Sequence, residues 1–176
     1  KGLSQNNINS LIVDSTGYVW FGTIEGITRF DGSNYDIFRS TPSIENSLEG
    51  NYIEQLSSCP NGNIWVHIQE RGINKFDASS NDFQIYPDSC FSPGDAVHLS
   101  SMVSFSDSVL WFTDPNGLYK YNAETNVTTK FEVPFKNGHL IYGGNKKVFY
   151  WGSGGIYSYP KDISNDLSGK MIINSV

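Results

Sequence analysis

A motif that recurs four times constrains the fold of this chain more than any other feature of the sequence. Its first element is a tryptophan within a short apolar stretch, and the tryptophans are spaced 45, 46 and 40 residues apart: Trp20, Trp65, Trp111 and Trp151. Each is followed by a glycine, and an aromatic residue stands four positions after that glycine. These pairs are Gly26 and Phe30, Gly72 and Phe76, Gly117 and Tyr121, and Gly155 and Tyr159. A fixed offset in all four copies indicates an internal repeat.

Each repeat predicts four short antiparallel strands separated by turns. In the first repeat, Gly26 supplies the positive φ that a tight hairpin needs between the second and third strands. The second strand is apolar on consecutive residues, a pattern typical of a strand buried on both faces. The predicted strands are 8–13, 18–23, 27–31 and 35–39; 52–57, 63–68, 73–77 and 83–86; 102–105, 109–113, 118–122 and 127–131; and 140–142, 148–152, 156–159 and 170–174.

Four-stranded antiparallel units of 40–45 residues are typical of the blades of a β-propeller. The composition agrees with an all-β fold, because the chain has 17 glycines and only three alanines among its 176 residues. We therefore predict one domain over residues 1–176, a partial β-propeller with blade repeats at about 3–46, 47–95, 96–136 and 137–176. The four tryptophans are expected to pack between blades.

Composition also excludes several classes of protein. Twelve basic residues against 18 acidic ones give a net charge of -6, which disfavours a nucleic-acid partner because phosphate binding needs a basic surface. Aromatic residues at 14% argue against disorder, and no apolar run is long enough for membrane insertion. The chain opens at Lys1 without a signal-peptide pattern. We therefore expect one of three cases: a protein that never had a leader, a mature protein, or an excised piece.

Two stretches of the first repeat, Leu3-Ser4-Gln5-Asn6-Asn7-Ile8 and Asp14-Ser15-Thr16-Gly17-Tyr18-Val19-Trp20-Phe21-Gly22-Thr23, resemble the two-component-regulator propeller repeat. Gly26-Ile27-Thr28-Arg29-Phe30-Asp31-Gly32 continues the resemblance, which recurs in residues 47–53 and 61–66. It is close over residues 3–86, fair over 99–131 and weak beyond. The second repeat departs from the pattern at His67 and Ile68, the third at residues 113–116 and the fourth at Pro160.

In this family the repeats build the extracytoplasmic sensor of hybrid two-component histidine kinases, usually with two seven-bladed propellers. The resemblance therefore implies an incomplete part of a seven-bladed propeller that lies in the periplasm and senses an oligosaccharide or another small ligand. The remaining blades of the parent sensor are implied as partners. Self-association is also expected, because an open arc of four blades leaves apolar faces uncovered.

The expected ligand site lies where the hairpins between second and third strands meet the connections between blades. These segments open on one face of a propeller, and sugars need planar hydrogen-bonding groups and an aromatic ring there. Arg71 is the strongest single candidate because it interrupts the pattern before Gly72. The full set of candidate ligand-binding residues is Glu25, Tyr52, Gln69, Glu70, Arg71, Asp114 and Asn116.

No motif for catalysis, a metal or a cofactor stands out, and we expect no enzymatic activity in this chain. The three histidines have no second ligand at metal-binding spacing, and Cys59 and Cys90 fit one disulfide or two free thiols equally well. Two other functions remain open: a structural scaffold that holds a dimer, and a polysaccharide-acting propeller enzyme that uses turn carboxylates such as Glu25 and Glu70.

Overall fold

The computed structural model describes residues 2–91, 99–142, 147–160 and 170–173, and gives the backbone alone for Tyr142, Pro160 and 170–173. The chain divides into two compact units, residues 1–97 and 98–176. Each unit contains two four-stranded antiparallel sheets, and no α-helix occurs in these ranges. The predicted fold class, all-β with four four-stranded propeller blades, is therefore confirmed.

In every blade the strands pair antiparallel in chain order, each with the next. The first unit holds blade 1 (β1 Ile8–Val13, β2 Val19–Thr23, β3 Gly26–Phe30, β4 Tyr35–Phe38) and blade 2 (β5 Ile53–Ser58, β6 Ile64–Ile68, β7 Gly72–Asp77, β8 Asp82–Tyr86). A short 3-10 helix follows at Asp88–Cys90. The second unit holds blade 3 (β9 Ser101–Ser104, β10 Val109–Asp114, β11 Gly117–Asn122, β12 Val127–Phe131) and blade 4 (β13 His139–Tyr142, β14 Lys147–Gly152, β15 Gly155–Pro160, β16 Lys170–Ile173).

Each blade has a tryptophan face, which carries the motif tryptophan or its equivalent, and an opposite face. In blade 1 the tryptophan face includes Ile12, Trp20 and Arg29, which are cross-strand partners. Side chains on neighbouring strand positions point to alternate faces, so Leu11 and Phe21 lie on the opposite face. Alternate residues along each strand therefore form the two faces of a blade.

The core of the first unit lies between its two blades. Trp20 and Ile27 from the tryptophan face of blade 1 belong to one buried cluster with residues from the opposite face of blade 2, among them Val66 and Phe76. Trp20 meets Phe76 edge to face, with ring centroids 4.9 Å apart, an arrangement that aromatic pairs favour. Leu48, from the connection between the blades, completes the cluster.

The second unit repeats this packing. Trp111 and Leu118 of blade 3 are buried in one cluster with Val148, Tyr150 and Tyr159 of blade 4. Burial raises the pKa of the Tyr159 hydroxyl to about 12, with Tyr150 and Tyr157 adding to the effect. The tyrosine is therefore a neutral part of this core at physiological pH.

A basic residue faces the tryptophan across the sheet in the first three blades. The pairs are Trp20 and Arg29, Trp65 and Lys75, and Trp111 and Lys120. In each pair the cation lies over the indole, at 5.5, 5.4 and 5.9 Å from the ring centroid respectively, within range of a cation–π interaction.

The prediction that all four tryptophans pack between blades is wrong for Trp151. Trp20, Trp65 and Trp111 are buried, whereas Trp151 is 41% exposed. The register also shows that Trp151 is not the equivalent of the other tryptophans: in blade 4 the hairpin closes on Gly152 and Gly155, so Phe149 takes that position, opposite Ser158. Both members of the tryptophan–cation pair are thus replaced together in blade 4.

Other expectations fall partly outside the described residues. The fourth strand of blade 4 is found at Lys170–Ile173, while Asn174, which was expected to end it, lies outside. The same holds for residues 143–146, predicted as a turn, and for 92–98 within the connection after blade 2. Cys59 and Cys90 are not joined in a disulfide.

Candidate functional site

The hairpin between β2 and β3 places Glu25 at one end of the first unit. Gly26 closes this hairpin with a φ of +110°, and an added Cβ there would lie 2.3 Å from the carbonyl oxygen of Phe38. Only glycine fits this position, because both the backbone angle and the space exclude a side chain. The turn therefore holds Glu25 directly beside the end of β4.

Arg39 binds this hairpin from the end of β4. Its Nε donates to the carbonyl oxygen of Glu25 at 3.0 Å, and its Nη2 donates to the carbonyl oxygen of Ser4 at 3.2 Å. The same guanidinium lies 3.7 Å from the carboxylate of Glu25. Glu25 thus has a cationic partner that holds its side chain near the turn.

Asn51, in the connection between the two blades, joins the hairpin of blade 1 to the start of blade 2. Its carbonyl oxygen accepts a hydrogen bond from the backbone N–H of Gly26 at 2.7 Å. Its side-chain Oδ1 accepts one from the backbone N–H of Ser40, also at 2.7 Å. The connection is therefore fixed to the end of blade 1 at two points.

Tyr52, the next residue, is in turn bonded to the hairpin of blade 2. Its carbonyl oxygen accepts a hydrogen bond from the backbone N–H of Gln69 at 2.9 Å. Glu70 adopts a left-handed conformation with a φ of +57°, and the backbone N–H of Arg71 closes the turn on the carbonyl oxygen of Ile68 at 3.1 Å. Glu70 therefore serves the shape of the turn.

The stem of Arg71 lies against Gly50 in the connection. A Cβ added to Gly50 would come within 3.2 Å of Cγ of Arg71 and 2.9 Å of Cγ2 of Ile68. The side chain of Arg71 is exposed, as are those of Gln69 and Tyr52. We call the group Glu25, Arg39, Tyr52, Gln69 and Arg71 the turn edge of the first unit.

The turn edge offers chemistry suited to a neutral polar ligand. Arg71 carries a planar guanidinium that donates hydrogen bonds in fixed directions, and Gln69 carries a planar amide that both donates and accepts. The ring of Tyr52, 43% exposed, offers an apolar surface. Such a combination can bind hydroxyl groups from the side and cover the C–H face of a sugar. Five of the candidate residues, Glu25, Tyr52, Gln69, Glu70 and Arg71, lie along this end of the unit.

The other two candidates, Asp114 and Asn116, belong to the second unit. Oδ1 of Asp114 accepts hydrogen bonds from the backbone N–H groups of Asn116 at 2.7 Å and Gly117 at 2.8 Å, so the carboxylate stabilises its own turn. Asn116 is exposed at the tip.

Tyr119, close to Asp114, adds a phenol to this part of the second unit. Burial and then the negative charge of Asp114 raise the pKa of Tyr119, against the opposing effect of Lys130. Nζ of Lys130 lies 5.5 Å from the centroid of the Tyr119 ring. A carboxylate, a phenol and an ammonium thus lie close together.

Three of these residues escaped the sequence reasoning: Arg39, Tyr119 and Lys130. A role for Arg39 could have been predicted, because it ends the predicted fourth strand of blade 1, where the connection that supplies Tyr52 begins. Tyr119 and Lys130 are cross-strand partners, and this relation becomes visible only once the register is known.

The described part of the chain contains no group of three or more His, Cys, Asp or Glu side chains that could hold a metal ion. It also contains no helix long and apolar enough to cross a membrane.

Comparison with known proteins confirms the resemblance noted in the sequence. Residues 2–25 match the family described as the two component regulator propeller. A stretch of 47 residues is 36% identical to "Histidine kinase P4" of Formosa agariphila, covering 27% of this chain and 3% of that protein. The chain therefore spans a small fraction of the length of this relative.

Solved structures show the same fold. The extracellular domain of a hybrid two component system from B. thetaiotaomicron aligns with 98% of this chain and 25% of its own, at a TM-score of 0.66 and 23% identity. Virginiamycin B lyase from Staphylococcus aureus aligns with 98% of this chain and 58% of its own, at a TM-score of 0.69 and 13% identity. One fold thus serves both a domain of a signalling system and an enzyme, and the fold by itself does not fix the function.

Proposed function

We propose that this chain is a ligand-sensing part of the extracytoplasmic region of a two-component histidine kinase, and that the turn edge of its first unit binds an oligosaccharide. The single observation that carries the proposal is the exposed set of Tyr52, Gln69 and Arg71, which lie on the connection between the blades and on the hairpin of blade 2 that is bonded to it. The match of residues 2–25 to the two component regulator propeller supports the link to such a kinase.

The contacts of Arg71 support its role in binding. Its stem rests on the backbone of Gly50, so part of its conformational freedom is already lost before a ligand arrives, which lowers the entropic cost of binding. Gln69 shares a main-chain hydrogen bond with Tyr52. A sugar placed over Tyr52 would therefore have two planar hydrogen-bonding groups beside it.

Signalling would follow from the position of the turn edge between two blades. A ligand that contacts both the connection and the hairpin of blade 2 favours whichever arrangement of these segments it binds more tightly. In a complete sensor this preference would pass to the membrane helix and the kinase. The remaining propeller blades and further copies of the chain are the partners that this function requires, and the periplasm is its compartment.

We propose no catalytic step at this site. The carboxylate of Glu25 is paired with Arg39, and Glu70 is held in a strained turn. A propeller enzyme acting on polysaccharide would need a general acid and base at one point. A scaffold without a ligand is the competing function, and the experiment below separates the two.

Isothermal titration calorimetry of this chain against a panel of neutral oligosaccharides tests the proposal. We expect one member of the panel to bind, and Arg71→Ala to weaken that binding at least tenfold. Lys136→Ala is the matched control, because it removes the same charge from an exposed position in the second unit and should leave the affinity unchanged.

Three results would contradict the proposal. Equal affinity in the wild type and in Arg71→Ala would mean that the ligand binds outside the turn edge. Absence of binding across the panel, with the fold verified by circular dichroism, would favour the scaffold. Hydrolysis or cleavage of any polysaccharide by the wild-type chain would instead support an enzyme.

A further inference from the structure

The hairpins between the second and third strands of blades 1 and 2 carry opposite charges. The residue before the hairpin glycine is Glu25 in blade 1 and Arg71 in blade 2. The segment that follows the outermost strand supplies the opposite charge in each case: Arg39 directly after β4 in blade 1, and Asp88 two residues after β8 in blade 2. The two blades therefore hold an acid and a base at the same end, with the positions of the two charges exchanged.

Contacts with the hairpin glycine fix the position of Arg39 and of Asp88. A Cβ added to Gly26 would lie 3.1 Å from Cγ of Arg39, and a Cβ added to Gly72 would collide with Oδ1 of Asp88. Asp88 is also the first residue of the short 3-10 helix that follows blade 2. Each of the two charged side chains therefore lies directly against the hairpin of its own blade.

The acid and the base are paired in blade 1 but not in blade 2. Arg39 lies 3.7 Å from the carboxylate of Glu25 and donates from Nε to its carbonyl oxygen at 3.0 Å. Neither Arg71 nor Asp88 forms an ion pair with any residue that the structure describes. The stem of Arg71 rests on Gly50 instead, so its exposed guanidinium is available to a molecule from the solvent.

The carboxylate of Asp88 lacks a hydrogen-bond donor. Its Oδ1 is buried and has no partner among the described residues, although buried polar atoms in proteins nearly always have one, because desolvation without a partner costs free energy. Asp88 as a whole is only half-buried, so a donor from the solvent can reach its carboxylate. A hydroxyl group of a ligand bound at the neighbouring turn edge would supply this donor.

We propose that Asp88 is a further ligand-binding residue beside the turn edge, which accepts a hydrogen bond from one hydroxyl group of the sugar while Arg71 donates to another. This inference rests on the proposed function and names its class of sugar. A hydroxyl group both donates and accepts, so a neutral sugar satisfies both residues. A uronic acid bound by Arg71 would bring its carboxylate close to Asp88, and like charges repel. The site therefore selects neutral oligosaccharides over acidic ones.

Isothermal titration calorimetry with matched neutral and acidic disaccharides tests the inference. The pairs are 1,4-linked galactobiose with digalacturonic acid, mannobiose with dimannuronic acid, and cellobiose with diglucuronic acid. We expect the wild type to bind at least one neutral disaccharide, and to bind it more tightly than its acidic counterpart. Asp88→Ala should weaken the neutral binding about tenfold, as the loss of a hydrogen bond to a charged group does.

Asp88→Asn separates the charge of Asp88 from its shape. It keeps an acceptor oxygen, so it should lose less affinity for the neutral disaccharide than Asp88→Ala does. It should also bind the acidic counterpart more tightly than the wild type does, because no negative charge then opposes Arg71. Asp82→Asn is the matched control, since it removes the same charge from an exposed position at the other end of β8 and should change neither affinity. Circular dichroism melting verifies that each variant folds, and Asp88→Asn carries the test if Asp88→Ala does not fold.

The results that would overturn the inference differ from one another. Absence of binding to every disaccharide would overturn the proposed function and this inference with it. Binding that Arg71→Ala weakens and both variants of Asp88 leave unchanged would exclude Asp88 alone and keep the turn edge as the site. Equal or tighter binding of an acidic disaccharide by the wild type would exclude the selection of neutral sugars, as would an equal gain in acidic binding in Asp82→Asn and Asp88→Asn.

Discussion

The indole N–H of Trp20 donates a hydrogen bond to Oδ2 of Asp14 at 2.8 Å. Oδ1 of the same carboxylate accepts hydrogen bonds from the hydroxyl of Thr16 at 2.7 Å and from the backbone N–H groups of Thr16 at 2.9 Å and Tyr18 at 3.1 Å. One carboxylate therefore closes the turn between β1 and β2 and fixes the orientation of a core tryptophan.

Replacing Asp14 should destabilise the first unit. Asp14→Asn puts an amide, which donates as well as accepts, where the carboxylate accepts four hydrogen bonds, and we expect a loss of about 2 kcal/mol in the free energy of unfolding. Urea denaturation followed by far-ultraviolet circular dichroism measures it. Asp31→Asn is the control, because Asp31 also caps a turn but is exposed and bonds no indole. An equally large loss of stability in Asp31→Asn would contradict a contribution from the hydrogen bond between Asp14 and the Trp20 indole.

Acid should weaken the first unit through the same carboxylate. Burial acts to raise the pKa of Asp14, but its hydrogen bonds to Thr16, Trp20 and Tyr18 outweigh it and lower the pKa below 3.8. The resulting stability is fully present above the pKa of the unfolded chain and is lost as pH falls through the lower pKa of the folded state. Urea denaturation between pH 6 and pH 2 should show this decline, and Asp14→Asn should show a shallower one. Parallel curves of stability against pH for the wild type and Asp14→Asn would contradict the assignment of the acid sensitivity to Asp14.

Gly26 and Gly32 offer a matched comparison of strain and space. Both adopt positive φ, +110° and +100°, but a Cβ would meet Phe38 at Gly26 and nothing within 4 Å at Gly32. We expect Gly32→Ala to cost about 1 kcal/mol for the backbone alone and Gly26→Ala to cost about 3 kcal/mol or more. Thermal unfolding monitored by circular dichroism would rank them. Equal losses would mean that β4 moves away without penalty.

Arg29 should stabilise the first unit through its position over the aromatic cluster. Its guanidinium lies 5.1 Å from the Tyr18 ring and 5.5 Å from the Trp20 ring, and it is bonded to Asp36 at 2.7 Å. Arg29→Met keeps most of the apolar stem and removes the charge, so we expect a loss of about 1–2 kcal/mol. Arg39→Met, at an exposed position outside the cluster, should cost less in the same urea titration. An unchanged Arg29→Met variant would show that the stem alone provides the stability.

The blades could be predicted from the sequence because their signals are local. Gly26, Gly72 and Gly155 mark hairpins through positive φ, and the apolar second strands follow directly before them. The structure places the strands within one or two residues of the predicted positions for this reason. The pairing of Trp20 with Arg29 was also within reach, since a basic residue stands three positions after the glycine in the first three repeats.

The features that the sequence did not disclose depend on register and on distant contacts. The spacing of the tryptophans predicts Trp151 as the fourth member of the series, but the hairpin at Gly152 shifts the equivalent position to Phe149. The contact of Arg39 with Ser4 joins residues 35 positions apart, and no local sequence pattern predicts it. The set around Tyr52 was expected from topology, and the hydrogen bonds that connect its parts became visible only in three dimensions.

Because Trp151 is exposed while the other three indoles are buried, the chain carries its own optical probe. A water-soluble collisional quencher such as iodide should reach this one fluorophore and leave the other three emitting. Any molecule that covers blade 4 would shield it, so that occupancy of this face can be followed by intrinsic fluorescence without a label.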